Sequence, residues 1–371
     1  MSASADVVVV GGGVAGLCVA EGIAAAGARV VCIEADRIGA GASGRGSGQL
    51  LLGVVEAPHR VLASLGELRT RELFALTRAS VDWLADRRLL ERSGMASIAL
   101  DDREPAELEC SHEVLGELGV ASTLHPAETV VERFGLSGSG PMLSVELGGR
   151  VDPGPALASL ASGARSAGAS IIEAAPLTRI DERPDGLLVH AGEHRITTEV
   201  VVLAAGAGAR DLEPWLAEQL VPVREQSVAL GGLAPGVDFG GRAGHGYTWF
   251  ERRGHEGVVG GCRWATPHLE VGETQEVTTP EVQARVEGFA DRLGWRASDA
   301  SVRRWAWIDA HTRDGLPLVG PVPGSNRIVA CVGFCGNDWG LGPGAAALVT
   351  EGLMGETAHT SALFAPSRLL R

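Results

Sequence analysis

Three glycines and one acid near the start of the chain have the spacing of a phosphate-binding turn. Gly11, Gly13 and Gly16 follow an apolar run, Val7–Val10, and Glu34 ends the next apolar run. Such glycines permit a sharp turn, close approach of the backbone to a pyrophosphate and tight packing of the following helix. The helix N-terminus offers free N–H groups to phosphate, and an acid in this place accepts hydrogen bonds from ribose hydroxyls. These residues therefore predict dinucleotide binding.

The elements that must position these groups follow one another within residues 6–35. The run Val7–Val10 predicts a strand, the alanine-rich segment after the glycines predicts a helix, and Val30–Ile33 predicts a second strand. A lone glycine fingerprint is weak evidence, but strand, turn, helix, strand and acid in this order are specific. We therefore interpret residues 6–35 as a βαβ unit.

Composition narrows the class of protein. The chain has 371 residues, 45% of them hydrophobic, which fits one large or two interleaved domains with a sizeable core. Its net charge of −14 argues against nucleic acid and against anionic membranes as partners. The N-terminus has no basic region before its apolar run, and the six cysteines show no metal-ligand spacing. We expect a cytoplasmic enzyme with no metal; the composition leaves its oligomeric state open.

The rest of the chain alternates between helical and strand-like segments. Hydrophobic periodicity predicts helices and strands, and glycines and prolines separate them. The predictions are helices over 62–90 and 104–118, a turn, helix and strand over 151–175, a strand pair over 177–196, a strand and small-residue turn over 199–209, strands over 221–264, a helix over 279–293, a strand over 327–332 and a terminal helix of about three turns.

These pieces, in this order, resemble the D-amino-acid oxidase superfamily of FAD oxidoreductases, which includes glycine, sarcosine and γ-glutamylputrescine oxidases. Four segments carry the resemblance: the fingerprint with Glu34, GASGRGSGQ at 41–49, VVLAAGAGA at 201–209, and DGLPLVGPVPG with GFCGNDWGLGPG after residue 313. The resemblance implies an α/β fold, with a Rossmann-like FAD domain built from discontinuous segments. An inserted α+β substrate domain would contain an antiparallel sheet and helices. The implied boundaries are 1–60, 151–220 and 311–371 for the FAD domain, and 61–150 and 221–310 for the substrate domain.

The resemblance implies FAD contacts in the fingerprint, in the loop 41–49 and in later turns. The N–H groups, hydroxyls and arginine of that loop suit a phosphate, although a flexible surface loop is the alternative. Residues 340–344 open the last helix, whose N-terminus would stabilise negative charge on a reduced flavin; an ordinary glycine-rich helix start is the alternative. The implied FAD contacts are Gly11, Gly13, Val14, Ala15, Gly16, Glu34, Ala35, Ser43, Gly44, Arg45, Ser47, Gly48, Gln49, Leu177, Ala205, Gly206, Asp314, Gly336, Gly340, Leu341 and Gly342.

Asp309 is the most informative residue on the substrate side. In glycine-oxidase-like relatives an arginine near this place holds the substrate carboxylate, and the aligned place here holds Asp309. An acid cannot bind a carboxylate but can bind a cationic amine, as the similarity to γ-glutamylputrescine oxidases suggests. The alternative is that Asp309 caps a turn or pairs with Arg304 or Arg313.

Aromatic, histidine and cysteine residues supply further candidates for the site. Tyr247 and Trp339 could form an apolar cage beside the flavin, and His311 could act as an acid or base, although core and turn positions are the alternatives. Cys335 could have a redox or covalent role, or be a small buried thiol. The predicted catalytic set is therefore Asp309, Tyr247, Trp339 and His311.

Two departures from the resembled family shape the expected chemistry. Sarcosine-oxidase-like members attach flavin through a cysteine, and the corresponding place here holds Trp307, so we expect non-covalent FAD. Those members also use a lysine to promote reaction with oxygen, and this sequence contains no lysine. The prediction is oxidation of the C–N bond of an amine or amino-acid derivative, by hydride transfer to the flavin, with O2 as acceptor. The alternatives are a dehydrogenase or desaturase with another acceptor, and a flavin subunit of a multi-protein complex.

Overall fold

The computed structural model describes residues 2–136, 139–234, 236–296, 302–355 and 361–370. Its helices and strands alternate along most of the chain. The strands are β1 (Ser2–Ser4), β2 (Val7–Val10), β3 (Val30–Ile33), β4 (Gln49–Leu50), β5 (Met95–Ile98), β6 (Ser122–His125), β7 (Met142–Val145), β8 (Gly149–Arg150), β9 (Ser170–Ile172), β10 (Leu177–Arg183), β11 (Gly186–Ala191), β12 (His194–Thr198), β13 (Val200–Leu203), β14 (Leu220–Leu230), β15 (Phe239–Ala243), β16 (Thr248–Arg253), β17 (Glu256–Gly261), β18 (Val302–Thr312), β19 (Leu318–Pro321) and β20 (Ile328–Val332). The α-helices are α1 (Val14–Ala25), α2 (Ala42–Arg45), α3 (Pro58–Leu65), α4 (Glu67–Asp86), α5 (Glu104–Glu117), α6 (Ala127–Phe134), α7 (Pro153–Ser166), α8 (Pro214–Gln219), α9 (Pro267–Glu270), α10 (Pro280–Arg292) and α11 (Asp338–Met354).

The chain divides into two compact units, each made of separate segments. The first unit contains Met1–Gly48, Asp152–Pro222 and Asp309–Arg371, and the second contains Gln49–Val151 and Val223–Ile308. Residues 49–60, which the sequence analysis assigned to the FAD domain, belong to the second unit. The assignment of FAD binding to one unit and substrate binding to the other stays a prediction.

The first unit is built around a six-stranded sheet with the order β19-β20-β13-β2-β3-β9. The strands β20, β13, β2, β3 and β9 run parallel, and β19 is antiparallel to β20 at the edge. All four valines of Val7–Val10 are buried, because the strand packs against α1 and shares a core with residues of β11 and β12, such as Val189 and Ile196. This sheet confirms the predicted α/β class. A second sheet of the unit has the order β1-β12-β11-β10.

Helix α1 lies between the sheet and two other helices of the first unit. It packs against α11 and α7 as well as against β2 and β3. Leu17, Val19 and Ile23 are fully buried, because α1 has neighbours on several sides and is apolar around most of its circumference. This packing fixes the N-terminus of α1, and with it the glycine turn, relative to the sheet.

The second unit is built around an eight-stranded, mainly antiparallel sheet. Its order is β18-β14-β17-β16-β15-β5-β7-β6, with β15 and β5 parallel. Phe250 and Val259 are fully buried in the core of this unit, and Trp295 meets Phe250 edge-on at 6.1 Å between ring centroids. The antiparallel sheet with flanking helices agrees with the predicted α+β character.

Several predicted elements need correction. The strand pair over 177–196 is a meander of three strands, β10, β11 and β12, and the region 60–135 also contains β5 and β6. The helix over 62–90 is divided at Gly66, whose φ of 77° interrupts α-helical geometry. The last helix begins at Asp338 and has 17 residues, so residues 340–344 lie inside it. Tertiary packing of its small residues against α1 stabilises this length despite the glycines.

Among the described residues, none of the helices combines the length and the hydropathy that a bilayer-crossing segment requires.

Candidate functional site

The glycine turn between β2 and α1 is so close to its neighbours that side chains cannot fit. Gly11 has a φ of 117°, and a Cβ atom on it would lie 2.4 Å from the carbonyl oxygen of Ala204. A Cβ atom on Gly16 would lie 1.9 Å from the carbonyl oxygen of Gly11. Both distances are far below van der Waals contact, so these positions require glycine for the turn to form.

The acid after β3 is fixed beside this turn. The backbone N–H of Gly12 donates to Oε2 of Glu34 at 2.6 Å, and the N–H of Asp36 donates to Oε1 at 3.0 Å. Hydrogen bonds to a carboxylate are stronger than neutral ones, so the carboxylate is held in one orientation. Glu34 therefore lies at the carboxyl end of β3, next to the N-terminal side of α1, as the βαβ reading predicts.

Ser43 joins three separate segments of the first unit. Its Oγ accepts the backbone N–H of Val14 at 3.2 Å, and its carbonyl oxygen accepts the indole Nε1–H of Trp339 at 3.1 Å. Asp338 also bonds to Ser43; burial raises the pKa of Asp338, while the bond to Ser43 opposes that rise. The first turns of α1, α2 and α11 therefore meet at this serine.

Helix α11 reaches the glycine turn through its small residues. A Cβ atom on Gly342 would lie 3.2 Å from Cγ1 of Val14 and 3.6 Å from the backbone nitrogen of Ala15. Leu341 is fully buried. A Cβ atom on Gly340 would lie 2.4 Å from Oδ1 of Asn337. The structure thus brings the predicted contacts in α1 and α11 together.

Glu34, Ser43 and the glycine turn form a cradle between β2 and α1. The residues of this cradle fit a dinucleotide such as FAD. Gly13 precedes α1 as its N-cap and makes no side-chain capping bond, and the first turn of α1, VAGL, contains no acid that would neutralise the positive end of the helix dipole. The Cβ-free surface of the turn leaves room for phosphate oxygens near these N–H groups. Glu34 has the chemistry to accept ribose hydroxyls. Glu34, Ser43 and the glycine turn would therefore hold the group.

The remaining predicted cofactor contacts of the first unit differ in backbone conformation and in burial. Gly48 has a φ of 76°, and Gly206 a φ of 54°. Leu177 begins β10 and packs against the apolar core with Ala205. Ala35 and Gly44 are exposed, and Gly48 is buried. The partly buried residues are Arg45, Ser47, Leu177, Ala205, Gly206 and Gly336. Their contacts with FAD stay predictions.

Two predicted cofactor residues have other partners in the structure. Gln49 belongs to the second unit, where its Nε2–H donates to the carbonyl of Phe250 at 2.7 Å. Both carboxylate oxygens of Asp314 accept hydrogen bonds from Arg368, at 2.8 and 3.0 Å. Burial alone would raise the pKa of Asp314, but the bonds and charge of Arg368 outweigh it and the pKa is lowered. Their contacts with FAD stay predictions.

Asp309 and His311 lie two residues apart on β18, so their side chains leave the strand on the same side. Asp309 is 8% exposed, and its Oδ2 lies 3.6 Å from the place that a Cβ on Gly336 would occupy. The two arginines considered as its partners bond elsewhere: Arg304 to Glu287 at 2.5 Å and Arg313 to the carbonyl of Glu218 at 2.9 Å.

The other two residues of the predicted catalytic set differ in burial and belong to different units. Trp339 is 1% exposed and lies in the first unit. Tyr247 is 46% exposed and lies in the second unit, where the guanidinium of Arg263 lies 5.9 Å from its ring centroid. Their predicted catalytic roles stay predictions.

Cys335 has the environment of a buried structural thiol. Its Sγ lies 3.5 Å from the backbone nitrogen of Thr312 and 3.3 Å from the carbonyl oxygen of Gly333. Burial raises the pKa of Cys335, and burial raises the pKa of Cys331 to about 12. Neither sulfur is therefore a thiolate near neutral pH, which is the reactive form.

The second unit contains a cavity of about 100 Å³ with a mainly apolar lining that includes Ile98 and Leu108. One wall carries His245, whose φ is 54°. Its backbone N–H donates to Glu104 at 2.7 Å, and its Nδ1 lies 3.0 Å from Oε2 of Glu107. Burial alone would lower the pKa of His245, but the bond to Glu107 and the nearby negative charges outweigh it and raise the pKa.

Sequence reasoning missed the polar residues in β14. This strand reads LVPVREQSVAL, and four consecutive polar residues interrupt an apolar strand. Arg224 bonds to the fully buried Glu270 at 2.8 and 3.0 Å, and Gln226 bonds to the same carboxylate at 3.1 Å. Glu225 and Ser227 alternate with them and therefore leave the opposite face. A charge run inside a buried strand was the available signal.

The parallel sheet, the glycine turn at the start of α1 and the acid after β3 define a dinucleotide-binding protein of the Rossmann-like class. The chain belongs to the DAO family of FAD dependent oxidoreductases, whose model matches residues 6–352. This match confirms the family resemblance drawn from the four motifs, and with it the assignment as an FAD-dependent oxidoreductase.

Two curated proteins illustrate the sequence similarity. Gamma-glutamylputrescine oxidoreductase from Escherichia coli is 29% identical over 249 residues, covering 61% of this chain and 55% of that protein. The probable oxidoreductase OrdL from Rhizobium meliloti is 26% identical over 231 residues, covering 60% of this chain and 54% of that protein. The match therefore spans about half the length of these relatives.

Solved structures share the fold along nearly the whole chain. Glycine oxidase from Geobacillus kaustophilus superposes with a TM-score of 0.81 at 23% identity, covering 99% of both chains. L-proline dehydrogenase from P. horikoshii superposes with a TM-score of 0.83 at 21% identity, covering 100% of this chain and 99% of that one. At these identities the similarity establishes the fold alone.

Proposed function

We propose that this protein oxidises the C–N bond of an amine or amino-acid derivative, with non-covalently bound FAD and with O2 as the electron acceptor. The cradle at the start of α1 is the observation that carries the proposal. There Glu34, Ser43 and the glycine turn bring a carboxylate, a hydroxyl-anchored loop and the N-terminal end of α1 into one small region. Such a set holds a dinucleotide, and the family supplies FAD as its identity.

The substrate class is supported by the names of the relatives. They include an oxidoreductase of gamma-glutamylputrescine, a glycine oxidase, an L-proline dehydrogenase and an iminodiacetate oxidase. Each name contains an amine or an amino acid. When bound, FAD supplies a two-electron acceptor that takes up the hydride from the carbon bearing the nitrogen. The oxidised substrate is then an imine, which water converts to a carbonyl compound and an amine or ammonia.

The residues of the chain contribute mainly by binding and orientation. Removal of a hydride from an amine needs the neutral nitrogen and a fixed geometry more than a strong protein base. Asp309 is a buried carboxylate in the first unit and suits an amine nitrogen better than a substrate carboxylate. We propose that the negative charge of Asp309 attracts the cationic amine from solution.

An anaerobic absorbance titration tests the proposed function. Pooled primary amines are added to one sample of the purified yellow protein and pooled amino acids to another, and air is then admitted. Bleaching by amines and recovery in air is the expected result. Bleaching by amino acids alone would contradict the role of Asp309, and the absence of bleaching with both pools would contradict the proposed substrate class.

The lysine-free sequence supports a second candidate, a dehydrogenase that passes electrons to another acceptor. Bleaching that persists in air, followed by recovery with an artificial quinone acceptor, is the result that this second candidate predicts. The same titration therefore separates the two candidates.

The attraction of the amine by the charge of Asp309 is tested with Asp309→Asn. The substitution keeps the size of the side chain and removes its charge, so we expect KM for the amine to rise about tenfold or more, with a smaller change in kcat. Asp185→Asn, on an exposed turn, is the matched control. Equal KM values in all three proteins would contradict the proposed role.

Non-covalent attachment of FAD has its own test. The resemblance implies a flavin-attaching cysteine at the position of Trp307. The indole of Trp307 has no thiol that could form such a bond with the flavin. We expect acid precipitation to release all yellow colour into the supernatant. Colour that stays with the protein pellet would contradict non-covalent binding.

A further inference from the structure

Three neighbouring strands of the second unit bring a hydroxyl and an indole together above one glycine. Ser227 on β14 faces Gly260 on β17, and Gly260 in turn faces Trp249 on β16. A Cβ atom on Gly260 would lie 2.4 Å from Oγ of Ser227 and 2.4 Å from Cζ2 of Trp249. Both side chains therefore occupy the space that glycine leaves open on this face of the sheet.

Glu225 lies on the same face as Ser227, because side chains two residues apart on a strand point the same way. Glu225 is 5% exposed and Ser227 is 0% exposed. Within the described part of the chain, neither Oε2 of Glu225 nor Oγ of Ser227 has a hydrogen-bond partner. Buried polar groups are rarely left so, because the lost hydration is not replaced. Two buried oxygens on one face, without partners among the described residues, therefore suit the donors of a bound ligand.

The surroundings of these oxygens define what such a donor can be. Oε1 of Glu225 is paired with the guanidinium of Arg263, so the pair carries no net charge and Oε2 is left as an acceptor. Trp249 is 4% exposed, and its ring centroid lies 6.3 Å from that of Trp307 at an angle of 53°. Two acceptors beside indole rings suit a nitrogen with two N–H groups on an apolar body.

We propose that Glu225 Oε2 and Ser227 Oγ accept the two N–H bonds of a primary amine whose carbon chain lies against Trp249. This inference rests on the proposed function, since it assigns the amine group of that substrate class to named residues of the second unit. A tertiary amine lacks the second donor, and a carboxylate would bring a third oxygen against the two acceptors. The face around Gly260 therefore selects primary amines.

Binding of small amines to the FAD-loaded protein tests the proposal. Anaerobic titration calorimetry is performed with n-butylamine, N,N-dimethylbutylamine and butyrate on the wild-type protein. We expect n-butylamine to bind, the tertiary amine to bind about tenfold more weakly or worse, and butyrate to give no heat of binding. Equal binding of all three compounds, or no binding of n-butylamine, would overturn the proposal.

Variants locate the binding. Glu225→Gln and Ser227→Ala should each raise Kd for n-butylamine, by about tenfold and about threefold. Glu113→Gln, which alters an exposed acid on α5, is the matched control and should leave Kd unchanged. Circular dichroism verifies that each variant is folded at the titration temperature; Ser227→Ala removes one buried oxygen and keeps the charge pair with Arg263. Unchanged Kd values in both site variants would overturn the proposal.

The two proposals fail separately. If amines bleach the flavin while Glu225→Gln leaves Kd for n-butylamine unchanged, this inference is wrong and the proposed function stands. If no amine bleaches the flavin while binding of n-butylamine still depends on Glu225 and Ser227, the amine site stands and the proposed reaction is wrong.

Discussion

The indole Nε1–H of Trp339 donates to the backbone carbonyl of Ser43 at 3.1 Å, across 296 residues of sequence. The same serine accepts the N–H of Val14, the first residue of α1, through its Oγ. One small residue therefore connects the glycine turn with the C-terminal helix of the first unit. The position of the turn depends on a contact made near the end of the chain.

Replacement of Trp339 by phenylalanine should weaken the first unit. The substitution removes the donor to Ser43 and leaves unfilled volume at a side chain that is 1% exposed. We expect the free energy of unfolding to fall by about 1–3 kcal/mol. Urea denaturation of the FAD-loaded protein measures it. Trp264→Phe, at a tryptophan that is 53% exposed, should change it by less than about 0.5 kcal/mol. Equal effects of both substitutions would contradict the role of the Ser43 bond.

Replacement of Gly16 by alanine should abolish FAD binding. The new Cβ would lie 1.9 Å from the carbonyl oxygen of Gly11, so α1 and the turn cannot keep their present positions. Gly154→Ala is the matched control, since a Cβ there meets nothing within 4 Å and alanine favours the helix α7. Quenching of flavin fluorescence on addition of apoprotein measures binding. FAD binding of wild-type strength by the Gly16 variant would show that the turn does not hold the cofactor.

The contribution of His245 to stability should depend on pH. Its folded-state pKa is raised above the ordinary 6.5, because Glu107, Glu104 and Asp101 favour the charged ring more than burial disfavours it. A raised pKa stabilises the folded state below the ordinary pKa, and this stabilisation is lost as pH rises through the folded-state value. The Tm difference between wild type and His245→Asn should therefore be larger at about pH 5.5 than at about pH 8.5.

Asparagine is chosen for this variant because it tolerates the positive φ of residue 245. His268→Asn, on an exposed position of α9, is the control and should show no such pH dependence. A Tm difference at His245 that is constant over this range, or one that grows toward alkaline pH, would contradict the prediction.

Alkylation should distinguish Cys110 from the other cysteines. Cys110 is exposed, while Cys18, Cys32, Cys262, Cys331 and Cys335 are buried. Burial raises the pKa of Cys32 to about 12, and the thiolate is the form that reacts with iodoacetamide. Mass spectrometry of the native protein should show one adduct, at Cys110, and six after denaturation. Rapid labelling of native Cys335 would instead point to a reactive thiol beside the substrate site.

The first unit was the more predictable from sequence, and its residues explain why. The runs Val7–Val10 and Val30–Ile33 are apolar throughout because both faces of a parallel sheet are covered, and their observed bounds equal the predicted ones. The glycine turn was predictable because its backbone geometry leaves no room for a side chain at Gly11 or Gly16. Both the apolar runs and the need for glycine depend on residues close together in the sequence, so the sequence alone reveals them.

Residues whose roles depend on distant partners were not predictable in this way. Gln49 was predicted as an FAD contact in the loop 41–49, which stays a prediction, and nothing in the sequence indicated that its side chain bonds to the carbonyl of Phe250, 201 residues away. Glu225 and Ser227 were read only as part of a strand-rich region, because their shared face depends on pairing with β17. The bond between Trp339 and Ser43 likewise depends on how α11 lies on α1. Pairings of this kind are set by tertiary packing, which residue spacing does not encode.

The strand order β19-β20-β13-β2-β3-β9 also has a consequence for biosynthesis. The N-terminal residues leave the ribosome first during translation. Strand β2, however, pairs with β13, and β13 pairs with β20 (Ile328–Val332), which are both synthesised later. The nascent chain therefore carries its glycine turn in an unfinished sheet until β20 has been translated. Because domains fold as units once their segments are present, the nucleotide cradle matures only after translation of this region. Newly made protein is thus apoprotein first, and its supply of active molecules depends on cofactor uptake after synthesis.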